Sequence, residues 1–180
     1  QCQMHPGMRI LELGCGDGAL WTQNIQFLPQ DISITLSDLS SGMIRDARRA
    51  LGRKDKRFSF EVFDCAKIPH KGCNFDLVIA NHVLFYCEDI PAVCNEIQRV
   101  LVPGGKLICS TYGSHHMQEV SQLVQDFDNR IVLSADRLYE RFGRENGADI
   151  LAPYFSDISW ESYNDSLLVP DAEPLISYIL

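Results

Sequence analysis

No run in these 180 residues approaches the roughly 20 apolar positions that cross a bilayer, and no leader-like stretch with a basic start opens the chain. Zinc-ribbon spacing is absent too. The seven cysteines, Cys2, Cys15, Cys65, Cys73, Cys87, Cys94 and Cys109, include no C-x-x-C pair, and their number is odd. They read as reduced thiols of a cytoplasmic protein, most of them small core or loop residues, and none has a partner base at a recognisable spacing. Basic charge is short: 16 Lys and Arg face 24 Asp and Glu, for a net charge of -8. A domain that grips phosphate backbones carries a basic face, so neither nucleic acid nor a membrane is an expected partner. The one basic run, Arg45 to Arg57, reads as the solvated end of a helix and its loop. No internal repeat or low-complexity tract is present, and the length suits one domain.

What is present starts at Met8. Met8 to Leu13 is a short apolar run that reads as a buried strand; Gly14, Gly16 and Gly18 follow at alternate positions, and Ala19-Leu20-Trp21 can open a helix. Strand, glycine turn and helix form the first half of a nucleotide-binding α/β unit, where the backbone must turn tightly and admit a ligand. A plain strand-to-helix turn is the alternative. Gly14-x-Gly16-x-x-Ala19 also satisfies the dinucleotide fingerprint, which seats a pyrophosphate at the helix N-terminus. Asp17 stands at that terminus, however, and Glu12 ends the strand. Carboxylates repel a pyrophosphate and attract cationic groups. The turn therefore suits a positively charged nucleoside, and S-adenosylmethionine, with its sulfonium and amino group, has that character.

Ala19 to Leu28 has helical spacing and stops at Pro29. Ile32 to Ser37 alternates as a second strand that ends at Asp38. Asp38 lies about twenty residues past the glycine turn, where such a unit places an acid for the ribose hydroxyls; a carboxylate can accept from two neighbouring hydroxyls. The alternative is a cap for the helix Ser41 to Leu51, which Ser40 or Ser41 can supply instead. Arg57 to Phe63 alternates as a third strand, and Phe75 to Ala80 is a near-continuous apolar run, as in a central parallel strand. Pro91 to Leu101 reads as an amphipathic helix, Pro103-Gly104-Gly105 as a tight turn, and Lys106 to Tyr112 as a fifth strand. This alternation predicts an α/β fold: a doubly wound, mainly parallel sheet with helices on both faces.

Leu11-Glu12-Leu13-Gly14-Cys15-Gly16-Asp17-Gly18 resembles the first motif of class I S-adenosylmethionine-dependent methyltransferases. Asp38-Leu39-Ser40 with Met43 resembles their second motif, Asp64-Cys65-Ala66 ahead of Ile68-Pro69 their adenine-binding corner, Phe75 to Ala80 their fourth motif, and Pro103 to Gly105 the turn before their fifth strand. The resemblance covers about Gly7 to Tyr112 and implies a Rossmann-like fold, S-adenosylmethionine as cofactor and a small-molecule acceptor. It places the cofactor against Glu12, Gly14, Cys15 and Gly16, with the ribose on Asp38 and the adenine flanked by Leu39 and Met43. Asp64 would accept the adenine amino group, with the backbone of Cys65 or Ala66 on the ring edge and Asn81 at the end of the fourth strand. Core packing is the alternative for Met43, and an ordinary turn for Asp64. The family's N-terminal helix and final antiparallel strand are not visible, so the natural chain is expected to continue; a partner or a rearranged strand in that place is the alternative.

Asn81-His82-Val83 lacks the prolines that follow the amide in methyltransferases acting on bases, which argues against a DNA base as acceptor. A general base is needed only if the acceptor must lose a proton; His82, Tyr86, His115 and His116 are the candidates. His115 and His116 are adjacent and point differently in a strand or a helix, so no shared metal is expected, and a solvated loop is their alternative. Met117 to Phe127 and Ser134 to Phe142 read as amphipathic helices, the second capped by Ser134; Phe155 to Val169 reads as a strand or hairpin and Pro174 to Leu180 as a helix. The single domain 1–180 then divides into a cofactor-binding core (1–112), a helical acceptor segment (113–152) and a C-terminal strand and helix (153–180). Methyl transfer from S-adenosylmethionine is the leading expectation. A nicotinamide-dependent oxidoreductase shares the glycine turn and Asp38 but conflicts with Asp17, and a non-catalytic S-adenosylmethionine-binding protein is the other alternative.

Overall fold

A computed structural model describes residues 4–52, 55–131, 137–163, 166 and 168–179. Its centre is a sheet of five strands, β1 (Arg9–Leu13), β2 (Ser33–Asp38), β3 (Phe58–Val62), β4 (Phe75–Asn81) and β5 (Leu101–Ser110), all parallel and ordered β3-β2-β1-β4-β5. The helices are α1 (Ala19–Asn24), α2 (Ser41–Leu51), α3 (Ile90–Val100), α4 (Gln118–Phe127), α5 (Leu138–Arg141), α6 (Gly147–Leu151) and α7 (Ala172–Ile179). Chain order reverses between β1 and β4, and the carboxyl ends of these two strands mark the crevice where ligands sit in such sheets.

Strand alternation sorts the core into two layers. Ile10, Ile34, Leu36, Leu77 and Ile79 pack under α1 and α2 against Trp21, Ile44, Ala47 and Leu51. Leu11, Leu13, Val78 and Ala80 pack on the other face against Val93, Cys94, Ile97 and Val100 of α3, joined by Phe142 and Leu151. At the amino ends, Asp76 of β4 accepts from the backbone N–H, Nε and Nη2 of Arg9 in β1, which sets the register of the two central strands.

Four expectations change. Helix α1 is shorter than Ala19 to Leu28 and passes into a 3-10 turn at Ile25–Phe27, with the Asn24 amide bonding back to Leu20 O. Strand β5 begins at Leu101 rather than Lys106: pairing jumps from Phe75↔Leu101 to Leu77↔Lys106, so the Pro-Gly-Gly turn is a bulge inside the strand. The helix expected over Ser134 to Phe142 is only Leu138–Arg141 within the described residues, and Ser134 lies outside them; Phe142 turns into the core. No strand forms among the described residues of 155–169. The apolar side chains there are used differently: Ile158 packs on the core and the Trp160 ring lies over Gly147 of α6. Among the described residues there is neither a helix ahead of β1 nor an antiparallel strand, and no helix is long and apolar enough to cross a membrane.

Phe142 is 0% exposed and fastens the segment after β5 to the core. Phe142→Ala is expected to lower the unfolding free energy by about 3–5 kcal/mol, the cost of a buried ring and its cavity, measured by chemical denaturation.

Candidate active site

The glycine turn lies over the carboxyl ends of β1 and β2. Cys15 N–H donates to Ser37 O at 2.9 Å, and Gly16 N–H donates to Asp38 Oδ2 at 3.0 Å. A Cβ on Gly14, whose φ is +65°, would overlap Val83 Cγ2, so only glycine fits beneath that side chain. Gly16 is the opposite case: its φ is +55°, and nothing lies within 4 Å of the place a Cβ would take, so this peptide faces open space. Asp17 Oδ1 accepts the Ala19 N–H at 3.1 Å, which puts a carboxylate at the first turn of α1.

Asp38 also accepts the Ser40 N–H, through Oδ1 at 2.8 Å. Each of its oxygens has therefore taken one backbone donor and keeps capacity for another. The cap of α2 is Ser40, whose hydroxyl accepts the Met43 N–H. Leu39 is 75% and Met43 46% exposed, so Met43 is not a core residue. Glu12 is buried, with Trp21 Nε1 donating to its Oε2 at 2.5 Å. Burial pushes its carboxyl up to about 7, against the Trp21 hydrogen bond and with help from the Asp38 charge. Burial, with the Glu12 and Asp38 charges, likewise pushes the Cys15 thiol up to about 12. That thiol stays protonated.

Glu12, Cys15 and Asp38 are thus gathered around the turn. Asp64 stands at the next strand tip, where Phe63 N–H donates to Asp38 O at 3.3 Å. Its carboxylate turns back on its own loop, accepting the Ala66 N–H at 2.9 Å. Cys65 Sγ lies 3.4 Å from Cys87 Sγ, a pairing that no short motif signals because 22 residues separate the two.

On the other side of the crevice, β4 ends at Asn81 opposite Ser110 of β5. His82 follows with φ +51°, a left-handed conformation rare for its residue type and costing on the order of 1–2 kcal/mol. Its N–H is held by Ser110 O at 3.1 Å and Ser110 Oγ at 3.2 Å. The His82 ring centre is 6.2 Å from Phe85, which is 4.7 Å from Tyr86 and 5.2 Å from Tyr112; Tyr112 is 4.7 Å from His116. His82, Tyr86 and His116 therefore share one aromatic cluster built on Phe85 and Tyr112, two residues that the sequence analysis did not single out. His115 instead makes its side-chain contact with Ser114 Oγ, at 3.3 Å. Burial, and then the His116 charge, push His82 below the ordinary imidazole range. Among the described residues no group of three or more His, Cys, Asp or Glu could hold a metal ion.

A family model described as a methyltransferase domain matches residues 11–109, more than half of the chain. The chain belongs to this methyltransferase family. The methyltransferase domain is 28% identical over 127 residues to malonyl-[acyl-carrier protein] O-methyltransferase of Serratia marcescens, covering 69% of this chain and 46% of that one. It is 26% identical over 192 residues to phosphoethanolamine N-methyltransferase 3 of Arabidopsis thaliana, covering 90% of this chain and 38% of the plant protein. The solved structure of an S-adenosylmethionine-dependent methyltransferase from Mesorhizobium loti superposes with a TM-score of 0.54 at 28% identity, over 62% of this chain and 50% of that one. The chain spans less than half the length of these two curated relatives.

Burial raises Glu12 from an ordinary 4.5 to about 7, so the folded protein binds this proton more tightly than the unfolded chain does. The resulting stability is complete below 4.5 and is lost as the pH rises through about 7. Glu12→Gln keeps an acceptor for Trp21 and removes the titration. The stability of the native protein relative to this variant is expected to fall by about 3 kcal/mol across that interval in urea titrations at stepped pH.

Proposed function

We propose that this methyltransferase domain moves the methyl group of S-adenosylmethionine to a small polar acceptor in the cytoplasm. The observation that carries the reading is Asp38, a carboxylate at the tip of β2 that is pinned to the glycine turn and retains acceptor capacity for ribose hydroxyls. The surroundings fit the rest of the cofactor. Gly14 lies beneath Val83, Gly16 opens to space with the Cys15 backbone between them, and Leu39 and Met43 are exposed apolar side chains suited to flank an adenine. Asp64 and the backbone of Cys65 and Ala66 would complete the adenine side, and Asn81, at the tip of β4, would meet the cofactor from across the crevice. Glu12 and Asp38 supply negative charge where a sulfonium and an amino group would lie. Asp17 argues against a nicotinamide dinucleotide, because its carboxylate already holds the helix-terminal N–H that a pyrophosphate would need.

When bound, S-adenosylmethionine supplies a methyl group on a cationic sulfur, a good electrophile. The chain's own task is to align the acceptor. Val83 closes over Gly14, and the cluster of His82, Phe85, Tyr86, Tyr112 and His116 walls the acceptor side. A ring nitrogen of His82, kept neutral by burial and His116, can take a proton from an acceptor that must lose one. The relatives named for malonyl-[acyl-carrier protein] and phosphoethanolamine act on an oxygen and a nitrogen respectively, and support a small polar acceptor for this domain.

Calorimetric titration tests the reading. S-adenosylmethionine is expected to bind and NAD to give no heat, and Asp38→Ala should weaken binding by about 1–3 kcal/mol. No binding, or an unchanged affinity in the variant, overturns it. His82→Asn keeps a residue that tolerates the left-handed backbone. It should leave stability and cofactor binding intact while slowing labelled methyl transfer to a panel of small acceptors by roughly 10²–10⁴-fold.

A further inference from the structure

Two cysteines far apart in sequence meet beside the proposed adenine corner. Cys65 Sγ and Cys87 Sγ are 3.4 Å apart, both side chains are half-buried, and none of the six described cysteines is bridged. Each backbone is fastened on its own side. Around Cys65, Asp64 accepts the N–H groups of Ala66 and Lys67, forming a tight turn. At Cys87, the N–H donates to Leu84 O at 3.1 Å and the carbonyl accepts from Arg141 Nη2 at 2.7 Å. Side-chain rotation and a small loop adjustment therefore separate the thiols from the roughly 2.05 Å of a disulfide.

The two sulfurs are not equivalent. Either sulfur can donate to the other, and Cys87 Sγ also reaches Val83 O at 3.5 Å. The asymmetry comes from their surroundings, since the Arg141 guanidinium sits on the Cys87 carbonyl while the Asp64 carboxylate adjoins Cys65, and Cys87 is held below the ordinary thiol range by its contact with Cys65. Cys65 is pushed up. Cys87 is the natural nucleophile and Cys65 the thiol that resolves it. Other thiols are poorer candidates: burial raises Cys15 to about 12 and Cys94 and Cys109 to about 11.

We propose that Cys65 and Cys87 form an oxidisable dithiol, a modification site that takes a small peroxide and closes into a disulfide tying the loop after β3 to the turn after β4. The Cys87 thiolate attacks one peroxide oxygen, the O–O bond breaks, and hydroxide leaves, giving a sulfenic acid on Cys87. The Cys65 sulfur then displaces that oxygen, which leaves as water with the Cys65 proton. In sum two thiols are oxidised to one disulfide and hydrogen peroxide is reduced to two waters. The consequence for ligand binding rests on the function proposed above. Asp64 adjoins Cys65, and Val83, which covers Gly14, sits one turn ahead of Cys87. Drawing these segments together should weaken S-adenosylmethionine binding several-fold.

The test treats the full chain with graded hydrogen peroxide, blocks remaining thiols by alkylation, and maps the peptides by mass spectrometry. A Cys65–Cys87 cross-linked peptide that has lost two hydrogens and is restored by dithiothreitol supports the proposal. So does a Cys65→Ser variant that accumulates a dimedone-reactive Cys87, against a Cys87→Ser variant in which Cys65 stays unreactive. Recovery of both cysteines as separate alkylated thiols after exposed Cys73 has oxidised overturns it. Titration of the reduced and bridged forms with S-adenosylmethionine keeps the two failures apart. Unchanged affinity after bridging overturns the coupling, whereas a reduced form that does not bind overturns the functional reading and leaves the dithiol standing.

Discussion

The carboxylate of Asp38 joins two backbones that would otherwise be independent. It takes the Gly16 N–H on one oxygen and the Ser40 N–H on the other, at 3.0 and 2.8 Å. Hydrogen bonds to a charged acceptor are about twice as strong as neutral ones. Here two of them position the glycine turn over β2 and start α2 in the right place. Ser37 O holds the Cys15 N–H from the same strand, and the Phe63 N–H reaches back to Asp38 O from β3. The tips of three strands are thus referred to one residue. A cradle with no side chains of its own needs this kind of external reference, since glycines do not set their own conformation.

Around that anchor the crevice divides by chemistry. The glycine side is acidic, with Glu12, Asp17 and Asp38 and no basic side chain paired with them among the described residues; the β4–β5 side is aromatic and imidazole-bearing. The buried Glu12 gives the acidic side a second property. Its carboxyl is poised near neutrality, so its charge responds to whatever cation approaches. A group placed this way is both a structural partner of Trp21 and an electrostatic reserve beneath the turn.

Most of the frame was legible in the amino-acid order because it rests on local rules. Phe75 to Ala80 is apolar on both faces since both faces are covered, and Ser40 caps α2 with the expected chemistry. The acid at the end of the second strand could be read from spacing alone. What escaped is non-local or too short. A four-residue helix such as Leu138–Arg141 has little periodicity to detect, and the bulge in β5 shows only as a register jump against β4. The alternation of Ile158 and Trp160 looks like a strand, but the two side chains are used in tertiary contacts. The left-handed backbone at His82 and the Cys65–Cys87 approach have no sequence signature at all, since tertiary packing imposes both.

Val83 overlies Gly14 so closely that a single methylene added to the glycine has no room. The loop leaving the first strand and the loop leaving the fourth therefore meet with no gap between them, and any bulkier residue at position 14 would have to push aside Val83, the chain neighbour of His82.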